Sequence, residues 1–326
     1  MSYILKQIKN QTCPAPCFFY PMAKKMSFSV SDILTDSKKQ AQVLIETSKS
    51  FPVSAVIRMT ELWCEAASFG MECSITENGF PKLGSPLYTD ISDLAEVAVP
   101  PVINSITSPL IEAVELAMPH MDKPMIIGVT GPYTLASVLN GSEDLMINCM
   151  TEPDDVHMFL EKITDFIIEY ILAYKAAGAS AVILTEPSVA MISPAMTEEF
   201  SNKYIQNIIS ASQDASFSII YHNCGAVDSH IDTILQLNAD GFHFGNEVNL
   251  DHVLKKVSKD KLVMGNLDPR LFISDNRAVI EKTTKDLLEK YSAYDNWRLS
   301  TGCDLAPNIF PGNIEIFFDA ATKQQK

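Results

Sequence analysis

Short apolar runs alternate along the chain with longer amphipathic stretches, a pattern typical of strands that alternate with helices. Runs rich in β-branched residues predict eight strands, at 53–57, 73–75, 125–129, 181–184, 217–221, 241–244, 262–265 and 297–299. Helices are predicted at 37–50, 61–69, 109–117, 156–177, 197–212, 229–237, 250–257 and 277–292, with a last helix after residue 313. Strands separated by helices pair in parallel through right-handed crossovers. Eight such units favour an α/β fold, a single closed (β/α)8 TIM barrel.

The first 36 residues break this pattern. Prolines interrupt them repeatedly, so we expect residues 1–36 to form an irregular N-terminal extension. Residues 37–326 are then predicted to be one catalytic barrel domain, because no low-complexity segment or linker divides them. Cys13 and Cys17 are spaced closely enough to bind a metal, but the prolines between them and the lack of partner ligands favour a structural role.

Composition limits the class of protein. The chain has 326 residues, of which 47% are hydrophobic and 20% charged, as in globular proteins with a large core. A net charge of −15 and only four arginines oppose nucleic-acid binding and disfavour a polyanionic substrate. The seven cysteines do not have the spacing of a disulfide framework, and we recognise no signal peptide. Both observations favour a cytoplasmic location. No apolar run reaches the roughly 18–20 residues that span a bilayer, so we expect no membrane association.

Three potential metal ligands follow predicted strands. His222 and Cys224 are two residues apart, so they point to the same side of a strand, and Cys303 comes from the eighth strand. Three such ligands with one open position are typical of catalytic zinc. Packing cysteines beside a hydrogen-bonded histidine are the alternative, and spacing alone leaves both open. Gly225 and Gly302 favour the metal because glycine permits close backbone approach.

Two carboxylates are candidates for a fourth ligand. Glu186 follows the fourth strand and Glu247 follows the sixth, so either can reach inward. Glu186 has a second possible role, which is to orient His222 or to act as a general base. His243 alternates with two glycines and either projects into the barrel or is a core histidine.

Seven segments carry a family resemblance, at 61–70, 128–136, 186–187, 222–225, 239–241, 265–269 and 302–304. Together they resemble the uroporphyrinogen decarboxylase superfamily over most of the chain after about residue 37. The His-x-Cys pair with a distant Cys resembles its zinc-dependent, corrinoid-linked methyltransferase branch. That resemblance implies a TIM barrel in which Zn²⁺ is held by His222, Cys224 and Cys303.

The implied reaction is methyl transfer between a methylcobalamin-type corrinoid, carried by a separate corrinoid protein, and a small thiol such as coenzyme M. Zinc in such a site lowers the pKa of the bound thiol. Among the residues that follow the predicted strands, we predict Glu186 and Asp304 to be catalytic. We predict that the cofactor is contacted by Tyr133, His243 and Asn266.

The chain also departs from both branches. Uroporphyrinogen decarboxylases grip their substrate with an N-terminal arginine-rich segment, whereas no arginine precedes Arg58 here. Coenzyme M methyltransferases of this type tend to have an acidic residue just after the sixth strand, and here Glu247 is displaced from it. A metal-free lyase and a non-catalytic barrel that binds a corrinoid protein are the alternatives. Because the chain is acidic, docking is expected to use apolar residues such as Phe244 or Phe310.

Overall fold

One curled parallel sheet of seven strands forms the centre of the molecule. The computed structural model describes residues 3–59 and 62–323, in which the strands are β1 (Val56–Arg58), β2 (Cys73–Ser74), β3 (Lys82–Leu83), β4 (Met125–Thr130), β5 (Ala181–Thr185), β6 (Ser218–Asn223), β7 (Gly241–Phe244), β8 (Leu262–Leu267) and β9 (Trp297–Thr301). The sheet order is β1-β4-β5-β6-β7-β8-β9, and all neighbours are parallel. Seven of the eight predicted strands are thereby confirmed.

The prediction for the second strand is wrong. The sequence places residues 73–75 in the main sheet, whereas β2 pairs antiparallel with β3 in a separate two-stranded sheet. Cys73 is half-buried and Ser74 is exposed, while β4, β5 and β6 are buried along their whole length. Central parallel strands are covered on both faces, and the polar residues Thr76 and Glu77 that follow β2 oppose such burial. Regular strands therefore do not form the predicted eight-stranded closure in the part of the chain that the structure describes.

An extended N-terminal segment lies between the two edge strands, β1 and β9. The amide of Ala15 donates to the carbonyl oxygen of Leu299 at 2.9 Å, and the amide of Cys17 donates to Thr301 Oγ1 at 2.9 Å. On its other side, Cys17 forms a parallel bridge with Ile57. Proline has no N–H to donate, so the Pro-Ala-Pro-Cys sequence can donate only through its second and fourth residues. Residues 14–17, the seam segment, thus bond to both edges without forming a regular strand.

Helices surround the sheet: α1 (Tyr3–Lys9), α2 (Phe19–Lys25), α3 (Val30–Thr35), α4 (Ser37–Ser50), α5 (Trp63–Ser68), α6 (Ile91–Glu96), α7 (Ser108–Ala117), α8 (Pro132–Asn140), α9 (Ser142–Thr151), α10 (Pro153–Ala176), α11 (Pro194–Thr197), α12 (Lys203–Ser212), α13 (Ile231–Ile234), α14 (Leu250–Lys256), α15 (Arg277–Lys290) and α16 (Asn313–Lys323). Shorter helical turns span Met118–His120, Pro187–Met191, Glu198–Asn202, Asp228–His230 and Pro269–Phe272. None of the described helices combines the length and apolar character needed to cross a membrane.

Three of these helices, α1 to α3, precede residue 37. The sequence predicts irregular structure there, which is wrong for the residues of these three helices, whereas residues 11–18 form no helix or regular strand. Phe18, Phe19 and Met22 are buried in the same hydrophobic cluster as the helices that cover the sheet. The helix predicted at 61–69 begins with Glu61, which lies outside the described residues. It is observed from Trp63 onward as α5.

Strand alternation divides the core into two layers. Ile57, Ile183 and Ile220 point to the inner side of the curled sheet, where they pack with the seam segment and α1. Their chain neighbours, such as Val56 and Val182, pack outward against the helices. Because side chains alternate strictly along a strand, this pattern fixes which residues project inward where the strands end.

Replacement of Thr301 with valine tests the seam. Thr301→Val removes the acceptor for the buried Cys17 amide at nearly constant volume, so we expect the free energy of unfolding to fall by about 1–3 kcal/mol. Urea denaturation measures the change. Thr35→Val, at the exposed end of α3, is the matched control and should change it by less than about 0.5 kcal/mol. Equal midpoints for wild type and Thr301→Val would show that this hydrogen bond does not hold the seam.

Candidate metal centre

Three metal-ligating side chains meet at the carboxyl end of the sheet. His222 belongs to β6, Cys224 follows β6, and Cys303 follows β9. One nitrogen and the two sulfurs all lie within 4.8 Å of one another, and 3.9 Å separates His222 Nε2 from Cys303 Sγ. Across residues 3–59 and 62–323, this is the single group of three or more His, Cys, Asp or Glu side chains that could hold a metal. The structure therefore brings together all three residues predicted as zinc ligands.

Backbone contact between loops makes this meeting possible. Gly245, just after β7, packs so tightly that an added Cβ would lie 2.6 Å from the Cα atom of Cys224. A Cβ on Gly302 would lie 2.8 Å from the backbone nitrogen of Asn246. Side chains at these two positions are sterically excluded, because real Cβ atoms do not approach other heavy atoms so closely. The two glycines thus allow the loops that carry the thiols to touch.

A chain of hydrogen bonds fixes the orientation of His222. Its Nδ1 lies 2.7 Å from His243 Nδ1 and 3.0 Å from the His243 carbonyl oxygen. His243 Nε2 lies 2.9 Å from Ser300 Oγ, and that hydroxyl donates to the Ala15 carbonyl oxygen at 2.7 Å. Ser300 therefore accepts a hydrogen bond from His243 Nε2–H, which leaves His243 Nδ1 as an acceptor and puts the His222 proton on Nδ1. The unprotonated Nε2 of His222 then faces Cys303, as metal binding requires.

Hydrogen bonding between the thiols separates their acidities. The bond to Cys303 lowers the pKa of Cys224 to about 4, and His222 contributes to the same effect. The bond with Cys224, together with burial, raises the pKa of Cys303 well above its usual value. Burial also lowers the pKa of His243 well below 6.5, so this imidazole is neutral. A thiolate is the form of cysteine that binds metals.

A cavity of about 270 Å³ opens above the three ligands. Its lining combines apolar side chains, a hydroxyl, a carboxylate and the ligands themselves, contributed by Met59, Leu62, Phe80, Thr185, Pro187, His222, Cys224, Cys303 and Asp304. Met59, Thr185 and His222 continue the inward-facing rows of β1, β5 and β6, which explains why they line it. The volume is slightly below the range of about 300–1,000 Å³ for pockets that hold drug-sized ligands. The cavity therefore suits a small molecule.

Glu186 lies outside this cavity. Its buried carboxylate accepts hydrogen bonds from the amides of Tyr133 at 3.0 Å and Thr134 at 2.8 Å, in the first turn of α8, and from the Ser201 hydroxyl at 3.1 Å. Burial raises its pKa to about 7 despite these bonds. A carboxylate at a helix N-terminus is electrostatically favourable. The structure thus uses Glu186 to tie α8 to β5 and does not bring it into the His222 group.

Asp304 and Tyr133 occupy different surroundings. Asp304 lines the cavity, and its Oδ1 accepts a hydrogen bond from the Leu305 amide at 3.0 Å. Tyr133 is buried within α8, and its hydroxyl has no hydrogen-bond partner among the described residues. Of these two predicted site residues, the structure brings only Asp304 to the ligand group.

Asn266 and Glu247 brace the neighbouring loops. The Asn266 amide donates to the carbonyl oxygens of Gly245 at 3.0 Å and Val248 at 2.9 Å, which holds the loop after β7. Glu247 is exposed and pairs with Arg270 at 3.3 Å, so the structure places this predicted fourth ligand on the surface. Neither side chain lines the cavity.

Sequence reasoning missed two residues that shape the site. The sequence pattern shows only that Gly245 alternates with His243, yet Gly245 is the contact point of the Cys224 loop. Ser300 was not singled out, yet it fixes the His243 tautomer. Because β9 also contains Arg298 and Thr301, its serine gives no distinct signal in the sequence.

A curled parallel sheet with its polar groups gathered at the carboxyl ends of the strands defines an enzyme of the barrel-like α/β class. The family model of uroporphyrinogen decarboxylase (URO-D) matches residues 18–324, and the chain belongs to that family. This confirms the family resemblance predicted from the sequence.

Relatives in the family share modest identity with this chain. The uroporphyrinogen decarboxylase of Methylobacillus flagellatus is 26% identical over 285 residues, which cover 83% of this chain and 79% of the relative. A methyltransferase from Methanosarcina mazei matches 99% of this chain and 98% of its own with a TM-score of 0.85 at 20% identity. A B12-independent methionine synthase from Shewanella sp. W3-18-1 matches 88% of this chain and 85% of its own with a TM-score of 0.59 at 11% identity. At such identities the two structures show the fold alone.

Replacement of Gly245 tests the loop contact. Gly245→Ala forces the Cys224 backbone outward, so we expect zinc affinity to fall about 10-fold or more. Competition with a chromogenic chelator measures this. Gly84→Ala is the matched control, because its Cβ would meet the Glu72 carbonyl oxygen at 2.6 Å, equally tightly but in the β2–β3 hairpin. Unchanged affinity in Gly245→Ala would contradict the role of the contact.

Replacement of Ser300 tests the hydrogen-bond chain. Ser300→Ala removes the acceptor that fixes the His243 tautomer, and we expect zinc affinity to fall about 10-fold. Ser218→Ala removes an equally buried hydroxyl, on β6, that donates to Asp240 at 2.8 Å. This control should keep wild-type zinc affinity, and an equal loss in both variants would point to general destabilisation.

Proposed function

We propose that the protein is a zinc-dependent methyltransferase that moves a methyl group between a corrinoid, carried by a separate protein, and a small thiol held in the cavity. The observation that carries this proposal is the His222–Cys224–Cys303 group at the base of a small, largely apolar cavity. Methyl transfer to sulfur needs both features, because a thiolate must be generated and then kept away from water.

The donor set fits zinc. One imidazole and two thiols are preferred zinc ligands, and three protein ligands leave a fourth position for substrate. Zn–S bonds near 2.3 Å and Zn–N bonds near 2.0 Å put tetrahedral ligand atoms roughly 3.5–3.8 Å apart. The 3.9 Å between His222 Nε2 and Cys303 Sγ is close to that spacing. Cys224 would complete the set, since all three ligand atoms lie within 4.8 Å of one another.

The chain's own residues bind and orient the thiol. The apolar side chains of Met59 and Phe80 keep water from its sulfur, and His243 holds the His222 ring in the ligating orientation. When bound, zinc would stabilise the thiolate form of the substrate at neutral pH. A methylated corrinoid would supply the methyl group to that sulfur and would keep the electron pair of its cobalt–carbon bond.

The corrinoid protein would approach the carboxyl rim, where the cavity opens. Phe244, predicted as a docking residue, is completely buried, and the structure excludes it from that role. Phe310 is half-buried and remains a candidate.

We also infer that the seam segment takes the place of an eighth strand between β1 and β9. A separate inference is that the protein is cytoplasmic, because all seven cysteines are free thiols.

Uroporphyrinogen decarboxylation is the second candidate, and the names of the curated relatives favour it. Such a substrate carries several carboxylates, which require cationic partners. Among the described residues no lysine or arginine lines the cavity, and its volume of about 270 Å³ is small for a tetrapyrrole. Methyl transfer therefore agrees better with the cavity.

Metal analysis combined with one assay tests the proposal. Wild-type protein should bind about one zinc per chain, and Cys224→Ser should lose it and slow methyl transfer from methylcobalamin to small thiols by about 100-fold or more. Absorbance of the corrinoid follows the reaction. Cys73→Ser, at an equally half-buried thiol in the β2–β3 hairpin, should behave as wild type.

Other outcomes identify the alternatives. Zinc-free protein that decarboxylates uroporphyrinogen would refute the proposal in favour of a lyase. Protein that binds zinc but transfers no methyl group to any thiol would indicate a barrel that binds without catalysis.

A further inference from the structure

The wall of the cavity next to His222 carries a hydroxyl group. Among the residues that the structure describes, Thr185 is the single hydroxyl-bearing side chain in the lining. It pairs in register with His222 on the adjacent strand, and both side chains face the inner side of the sheet. Neighbouring strands lie about 4.8 Å apart, so a small molecule whose sulfur lies beside His222 presents the next atoms of its tail to Thr185.

The protein itself holds this hydroxyl only weakly. The Thr185 hydroxyl donates to the Val129 carbonyl oxygen over 3.3 Å. Hydrogen bonds between two oxygens are usually about 2.5–3.0 Å long, so this one is long and correspondingly weak. A hydroxyl oxygen can also accept two hydrogen bonds, and no described residue donates to Thr185 Oγ1. The cavity wall therefore offers a hydrogen-bond acceptor that the fold does not use.

A second hydroxyl lies on the neighbouring strand. Thr130 ends β4 and pairs in register with Thr185. Its side chain is completely buried, and its hydroxyl has no hydrogen-bond partner within residues 3–59 and 62–323. A buried hydroxyl without a partner destabilises the folded state, and valine would fill the same space without that penalty. Two adjacent hydroxyls with so few bonds therefore indicate a ligand rather than packing.

The other side of the same inner layer is linked by hydrogen bonds. There His222 is connected through His243 and Ser300 to the Ala15 carbonyl oxygen. Hydrogen-bonding capacity that the protein leaves unused thus lies on the side of β4 and β5, next to the proposed position of the substrate.

From this arrangement we infer that Thr185 is a specificity-determining residue, which accepts a hydrogen bond from a hydroxyl, amide or amine group in the tail of the thiol. The inference rests on the proposed function and narrows its substrate class to short thiols that carry such a donor. A site built to hydrogen-bond a polar group discriminates against the analogue that lacks it, because the buried group of the site is then left unpaired.

Two thiols that differ in one group test the inference on protein loaded with Co²⁺ in place of zinc. 2-Mercaptoethanol and 1-propanethiol have the same length, and a methyl group in the second replaces the hydroxyl of the first. Thiol binding is followed by the cobalt–sulfur absorbance. We expect Thr185→Val to weaken binding of 2-mercaptoethanol by about tenfold and to change binding of 1-propanethiol by less than about twofold. Retained binding of 1-propanethiol shows that the cavity keeps its shape in the variant.

Two further variants serve as controls. Thr185→Ser retains the hydroxyl and should keep the wild-type affinity for both thiols. Thr164→Val is the matched control, because Thr164 and Thr185 are both 3% exposed and each donates to a backbone carbonyl oxygen, but Thr164 lies in α10 and does not line the cavity. This variant should also bind both thiols as wild type does.

The outcomes separate this inference from the proposed function. If Thr185→Val leaves both affinities unchanged, or weakens 1-propanethiol as much as 2-mercaptoethanol, the inference is overturned and methyl transfer to a thiol stays intact. Failure of both thiols to perturb the cobalt spectrum of the wild-type protein would overturn both, because no thiol would then bind beside the metal.

Discussion

Close backbone packing around Gly245 is the constraint on which the candidate metal centre depends. Neighbouring strands are about 4.8 Å apart, and β7 and β8 lie between β6 and β9, so the ends of β6 and β9 are separated by about 14 Å along the sheet. Cys224 and Cys303 can meet only if their loops turn inward across the mouth. Gly245 and Gly302 supply the missing space, since a Cβ on either would collide with the backbone of the adjacent loop. The three potential ligands can therefore meet because both positions are glycine, which has no side chain to keep the loops apart.

The seam segment bonds to the edge strands of the sheet and also to the hydrogen-bond chain that orients His222. Its alternating prolines leave Ala15 and Cys17 as donors, and both bond to β9. The carbonyl oxygen of Ala15 also ends the hydrogen-bond chain that begins at His222. Residues that lie far apart in sequence therefore share one network, and loosening the seam releases the last acceptor of that network. Stability at the edge strands and ligand geometry are physically coupled.

Local patterns predicted most of the sheet and the three potential metal ligands that the structure brings together. Seven strands followed from runs of β-branched residues, and the two-residue spacing of His222 and Cys224 placed both at one strand end. Residues 73–75 were misassigned because two apolar residues in a polar stretch resemble a weak strand until burial is known. The roles of Glu186 and Ser300 depend on partners 53 and 57 residues away, Tyr133 and His243, and no local pattern encodes such contacts.

Fold and site chemistry carry different information in this family. The sheet positions the strand ends, and a TM-score of 0.85 at 20% identity shows that this framework tolerates wide changes in sequence. The cavity is set by a few side chains at those strand ends, such as Thr185 and Asp304, which can change without altering the core. Charge within the cavity can therefore diverge while the sheet is retained. Buried charge strongly affects which ions a site binds. The side chains that line the cavity are therefore a better guide to the substrate than the surrounding fold.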